Sequence, residues 1–178
     1  GAYNTVIGSG ASANGESNTV VGKGNKVQGT ASGAFGDPNI VTGDASYAVG
    51  NDNTITADNT FVLGNNVNTT AKNAVVLGND SASDRDNTVA VGSETKQRQI
   101  DHVAAGTADT DAVNVSQLQS SQTSAVATSK RYTDSKVASL NDSFRSYAHE
   151  NAKRFQKIDE RFDRQGAMSA AILNMATS

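Results

Sequence analysis

Short apolar runs that each end in glycine recur along the first half of the chain: NTVIG at 4–8, NTVVG at 18–22, SGAFG at 32–36, SYAVG at 46–50, TFVLG at 60–64, AVVLG at 74–78 and TVAVG at 88–92. The closing glycines stand 14 residues apart, at 8, 22, 36, 50, 64, 78 and 92. A strict short period is the mark of stacked coils, each too small to bury its own apolar face without a neighbour. The position just before glycine is Ile7, Val21, Phe35, Val49, Leu63, Leu77 or Val91, always apolar and often large. The position before that is Val6, Val20, Ala34, Ala48, Val62, Val76 or Ala90, never larger than Val. A third, looser column holds Thr5, Thr19, Gly33, Tyr47, Phe61, Val75 and Val89.

Neighbouring residues on a strand point to opposite faces, so this strand is apolar on both sides and needs cover on both. The sizes suggest that the large column fills the roll interior and that the Ala/Val column lies against a neighbouring chain. The rest of each repeat is polar apart from a column five residues after glycine: Ala13, Val27, Val41 and Ile55, then Thr69 and Ser83. Fourteen residues divide naturally into two short strands and two tight turns, with Asn and Gly supplying left-handed turn conformations. Coils stacked about 4.8 Å apart would form a head about 30 Å tall.

After Gly92 the period stops. Residues 93–111 show no strand alternation and no sustained helical spacing, and Asp109, Thr110 and Asp111 precede an apolar-periodic run, an N-cap signal. From 112 to about 172 the pattern predicts one long helix with a narrow apolar stripe, interrupted near Gly166. Such a stripe suits a coiled-coil seam and not a globular core. Val115, Val126 and Val137 step by 11, as do Phe144 and Phe155, a period that favours a straight to slightly right-handed supercoil. With Leu118 and Leu140 they form the upper seam, and Phe155, Ile158 and Phe162 continue it by steps of 3 and 4. Ser129 and Asn151 fall in the seam, where a polar residue fixes register or holds an ion. An ion at such a layer is the single cofactor expectation.

Composition sharpens the division. Residues 1–92 hold 14 of the 16 glycines and the one proline, Pro38, with 4 Lys/Arg against 8 Asp/Glu. Residues 93–178 carry 11 Lys/Arg against 10 Asp/Glu. A formal charge of −3 without a basic patch argues against nucleic acid, and the lack of cysteine excludes disulfides and thiolate metal sites. The two histidines, His102 and His149, lie far apart, and no HExxH, Walker loop or GxSxG is present. No catalytic or metal site is expected, and the chain is read as a non-enzyme. The 14-residue period separates it from hexapeptide acyltransferase helices and from calcium-binding nonapeptide rolls. The chain opens in mid-repeat without Met and has no long apolar run, as expected of an excised piece whose targeting signals lie elsewhere.

The NTVIG-type unit resembles the head repeats of trimeric autotransporter adhesins of the kind first described in Yersinia. RQIDHVAAGTADTDAVNVSQL (98–118) resembles their neck, and FDRQGAMSAAILNMA (162–176) the helix leading into their membrane anchor. The resemblance implies a mixed fold. A left-handed parallel β-roll head would occupy 1–92, a neck 93–111, a parallel trimeric coiled-coil stalk 112–165 and the start of the anchor helix 166–178. It also implies a homotrimer on the bacterial surface, held in the outer membrane by a barrel that is not part of this sequence. The partners implied are host matrix proteins such as collagen, fibronectin or laminin, or the host cell surface. Carried over by motif, the ligand-binding candidates are Asn4, Val6, Ile7, Gly8, Asn18, Val20, Val21, Gly22, Asn87, Val89, Val91 and Gly92. A structural spacer that promotes bacterial clumping or biofilm would leave the same sequence trace. No residue identifies the ligand, the face of the head that binds it or the length of the parent protein.

Overall fold

The computed structural model describes residues 1–178 and divides into two units, Gly1–Asp101 and His102–Ser178. The first is a parallel β-solenoid. One sheet stacks β1 (Thr5–Ile7), β3 (Thr19–Val21), β5 (Gly33–Phe35), β7 (Tyr47–Val49), β9 (Phe61–Leu63), β11 (Val75–Leu77) and β12 (Val89–Ala90). The other stacks β2 (Ser12–Ala13), β4 (Lys26–Val27), β6 (Asn39–Val41), β8 (Asn53–Ile55) and β10 (Asn68–Thr69). Every ladder is parallel and pairs residue n with n+14, as in Val6 with Val20 and Val27 with Val41. The sequence period and the coil are therefore the same unit.

The faces are the reverse of those the side-chain sizes suggested. The small column is the interior: Val20, Ala34, Ala48 and Val76 are 0% exposed and pack with Val27, Val41, Ile55 and Val67 from the opposite side. The large column faces outward, with Ile7 59% and Leu63 58% exposed. The reason is the thinness of the coil. With so few inward side chains in each coil, the space between the sheets admits Ala or Val opposite Val or Ile and nothing bulkier. Size here records the distance between the two sheets of one chain.

The corners are closed by polar ladders. Asn4, Asn18, Ser32, Ser46 and Thr60 run down one corner, 14 residues apart. The side-chain oxygens of the first four take the N–H one coil on, as from Ser32 N to Asn18 Oδ1 at 2.8 Å and from Thr60 N to Ser46 Oγ at 3.0 Å. Each also donates to a carbonyl 11 residues on, as from Asn18 Nδ2 to the Gly29 carbonyl at 2.8 Å and from Ser46 Oγ to that of Ala57 at 2.8 Å. Asn25, Asn39 and Asn53 do the same at the other corner. No buried side-chain N or O lacks a partner, which removes the penalty that buried polar groups otherwise carry. The left-handed turn positions are other residues: Ser17, Ala31, Ala45, Asn59 and Asn73 in one column and Asp52, Asn66 and Asp80 in a second, with Gly10 and Gly24 also at positive φ, so Asn and Gly fill part of these positions as expected. The motif glycines serve close approach: a Cβ on Gly22 would lie 2.0 Å from the Gly36 carbonyl oxygen.

Residues 93–101 belong to this first unit. Ser93 and Lys96 exchange backbone hydrogen bonds, and Arg98 donates to Ser81 Oγ (2.8 Å), to the Val91 carbonyl (2.9 Å) and to that of Asn79. Lys96 pairs with Asp80. This segment covers carbonyls that a further coil would otherwise occupy.

The second unit is one helix, α1 (Val115–Thr177), with the strand-free residues before it folded onto its first turn. Its cap is Asn114, three residues beyond Asp111: the Asn114 side chain accepts from Gln117 N, and Gln117 Oε1 takes Asn114 N, a capping box. The helix runs through Gly166 without interruption. One glycine costs a helix about 1 kcal/mol, and the Ala, Met, Leu and Gln around it are strong helix formers. At about 1.5 Å per residue the helix extends about 95 Å, and none of its residues is buried. No helix is long and apolar enough to cross a membrane.

Candidate functional site

Two surfaces stand out, one on each unit. On the solenoid, the outward face of the seven-stranded sheet carries two apolar columns, Ile7, Val21, Phe35, Val49, Leu63, Leu77 and Val91 beside Tyr47, Phe61, Val75 and Val89. Tyr47 and Phe61 stack with centroids 5.2 Å apart and planes 17° apart. Gly33 makes room for this stack, since a Cβ there would meet the Tyr47 ring at 2.7 Å. Exposed Ile, Val, Leu and aromatic side chains repeated on successive coils form a continuous apolar strip, and such strips mark interaction sites. The outward face of the five-stranded sheet differs. Ser12, Lys26, Thr54 and Asn68 are its outward residues, with Ile40 the one large apolar side chain among them.

The twelve residues proposed from the head motif do not form one surface. Val6, Ile7, Val20, Val21 and Val89 lie in the seven-stranded sheet and Val91 just after β12; Ile7, Val21, Val89 and Val91 are exposed or half-buried. Val6 is an inward-column residue open at the first coil. Gly8 is exposed and Gly22 and Gly92 half-buried at the bends after the strands. Asn4 is half-buried and donates to the Gly15 carbonyl at 2.8 Å. Asn87 is exposed and accepts from Asn73 Nδ2 at 2.7 Å. Asn18 and Val20 are buried and have no surface to offer a ligand.

On the helix the seam residues do share a face along the chain. Val115, Leu118, Val126, Val137, Leu140, Phe144, Phe155, Ile158 and Phe162 are all exposed, and Asn151 is half-buried. Ile158 and Phe162 bound a shallow groove with Arg161 and Gln165. A stripe of this kind is unstable in water over so many residues unless another helix covers it.

The residues leading into the helix hold polar contacts that the sequence reading missed. Gln117 Nε2 donates to the Gly106 carbonyl (2.9 Å) while its Oε1 accepts from Gly106 N (2.9 Å), and Asn114 Nδ2 donates to the Val103 carbonyl (3.1 Å). The N-x-x-Q spacing of Asn114 and Gln117 was the available signal. Asp111 accepts backbone N–H bonds from Thr107 and Ala108, which hold its carboxyl below the usual range. Asp80 is lowered too, chiefly by Lys96 and then by Asn66. No group of His, Cys, Asp and Glu residues is arranged to hold a metal ion.

Residues 99–141 match the family described as the coiled stalk of trimeric autotransporter adhesin. Among solved structures, the collagen-binding domain of the Yersinia adhesin YadA is similar, with 27% sequence identity, a TM-score of 0.48 and coverage of 65% of this chain and 72% of that one. No curated protein matches the chain. A parallel solenoid of 14-residue coils thus precedes a segment that is similar to the coiled stalk of trimeric autotransporter adhesins.

Proposed function

We propose that this protein is a non-catalytic bacterial surface adhesin. Three copies associate through the stripe on α1 and the apolar outward face of the seven-stranded sheet, and the head meets host matrix proteins. The observation that carries the adhesin reading is the stalk match over residues 99–141. The exposed strip of Ile7, Leu63, Phe61 and Val89 supports association of the head, because a lone solenoid would leave it in water. A site at the cell surface, reached through the outer membrane, follows from the same family. Collagen, fibronectin and laminin are the ligands to try, being those the head-repeat resemblance implies.

Sedimentation equilibrium and light scattering of the chain test the assembly, and a stable trimer is the expected result. Solid-phase binding of that trimer to collagen, fibronectin and laminin tests the ligand class, beside an assay of self-aggregation. Saturable binding to one of the three supports host adhesion. Clumping without matrix binding would assign the protein to self-association between bacteria.

A further inference from the structure

Charge on the lower part of α1 is sorted by face. Helical residues advance by about 100° each, which places Phe155 and Phe162 at the a positions and Asn151 and Ile158 at the d positions of one heptad frame. Arg154 and Arg161 then occupy g, on one flank of the stripe, with Lys157 beside them. Asp159 occupies e on the other flank, with Asp163 beside it.

This sorting is unfavourable within one helix. The neighbours of Asp159 three and four residues away are Phe155, Gln156, Phe162 and Asp163, none of them a cation. Those of Arg161 are Lys157, Ile158, Arg164 and Gln165, none of them an anion. Asp159–Asp163 and Lys157–Arg161 are like-charge pairs at i,i+4, which destabilise an isolated helix. Higher on the same helix the chain does use internal pairing, with Lys130 and Asp134 2.9 Å apart at i,i+4. Neither Arg154 nor Asp159 makes an ion pair in the single chain. Arg154 has Glu150 four residues before it, but the two make no ion pair, and Asp159 has no cation within reach on its own helix; a second copy can supply a partner to both, because charged g and e positions of adjacent helices pair across a coiled-coil interface. In a parallel, in-register arrangement a g residue faces the e residue five positions on in the neighbour, and five beyond Arg154 is Asp159. An antiparallel arrangement would set arginine against arginine.

We propose that Arg154 of each copy pairs with Asp159 of the next, and that this pair selects parallel, in-register assembly of the stalk. The inference rests on the reading that α1 self-associates. Arginine suits the role, since its planar guanidinium can meet a carboxylate with two hydrogen bonds.

The test uses the full chain as Arg154→Glu, as Asp159→Arg and as the double exchange, followed by sedimentation equilibrium and thermal melting of the helical signal at low salt. The β-signal of the head serves as the internal control for folding. Each single variant should weaken the assembly on the order of tenfold, the expected sum of three partly exposed pairs. The double exchange should recover most of that loss, and added salt should shrink the difference between wild type and single variants. A trimeric wild type whose double variant loses the product of the two single effects, or whose single variants are unchanged, overturns the pair and leaves the assembly reading standing. A monomeric wild type overturns the assembly reading and the pair together.

Discussion

The solenoid and the helix reach order by opposite routes. Every coil of the solenoid is closed by the next coil of the same chain: Ala34, Ala48 and Val76 lose all contact with water, and the Asn and Ser ladders satisfy the corners. The helix closes nothing. Its 63 residues satisfy their own backbone and leave every apolar side chain outside. The solenoid thus carries an interior that needs no partner and an outer strip that does, whereas the helix carries only the second kind of surface. Repetition along one chain can build a core; repetition along one helix can only offer a seam.

This contrast can be broken from either side. The largest effect is expected for Ala48→Glu, which buries a charge where the interior has no partner for it, at a cost of several kcal/mol. Circular dichroism should show the β-signal lost and the helical signal kept. Phe162→Asp, or Ile158→Asp, should do the reverse, dissociating the stalk by sedimentation while the β-signal persists. Unchanged assembly in both would remove these residues from the seam.

Next in size is Asn39→Ala. It strips the donor to the Gly50 carbonyl and the acceptor used by Asn53 N and Nδ2, leaving buried groups unpaired at about 2–3 kcal/mol. Urea unfolding of the head measures it, and a loss under about 0.5 kcal/mol would show that water replaces the amide. Ala45→Gly should act in the other direction. Its φ of 51° is a left-handed conformation that strains a Cβ, so glycine should stabilise the head by about 0.5–1 kcal/mol.

The smallest effect is confined to the helix approach. The Asp111 carboxyl is lowered by the Thr107 and Ala108 N–H groups, so its contribution is present above the ordinary Asp pKa and is lost as pH falls through the lowered one. Protection of those two amides from hydrogen exchange should fall as that acid range is entered, with the Asn114–Gln117 contacts unaffected.

Much of the architecture was legible in the sequence because the period of the pattern equals the period of the structure. Gly8 to Gly92 mark the coils directly, and the stripe from Val115 to Phe162 marks one long helix. The inward face was not legible, because side-chain size was taken as a sign of depth, and a sheet-to-sheet gap too thin for Leu or Phe inverts that sign. The corner role of Asn18 and Asn39 was not legible because asparagine also serves turns, and only hydrogen bonding across coils separates the two uses. The Arg98 contacts to Ser81 and Asn79 escaped notice because they join residues 17 and 19 apart, outside any local pattern. Asn114 was passed over in favour of Asp109–Asp111, although Gln117 three residues on completes its capping box. The twelve ligand candidates came from a motif that records how the coil folds, so some of its members, such as Asn18 and Val20, lie where nothing can reach them.

The n-to-n+14 pairing has a consequence for how such a protein can change. Excising or duplicating any whole block of 14 residues between β3 and β9 leaves each remaining residue above and below an equivalent neighbour. Insertion or loss of a whole coil can therefore lengthen or shorten the head without leaving a strand unpaired. A deletion of 13 or 15 residues would instead leave one coil a residue too long or too short, and the interior and corner columns would be broken at that junction.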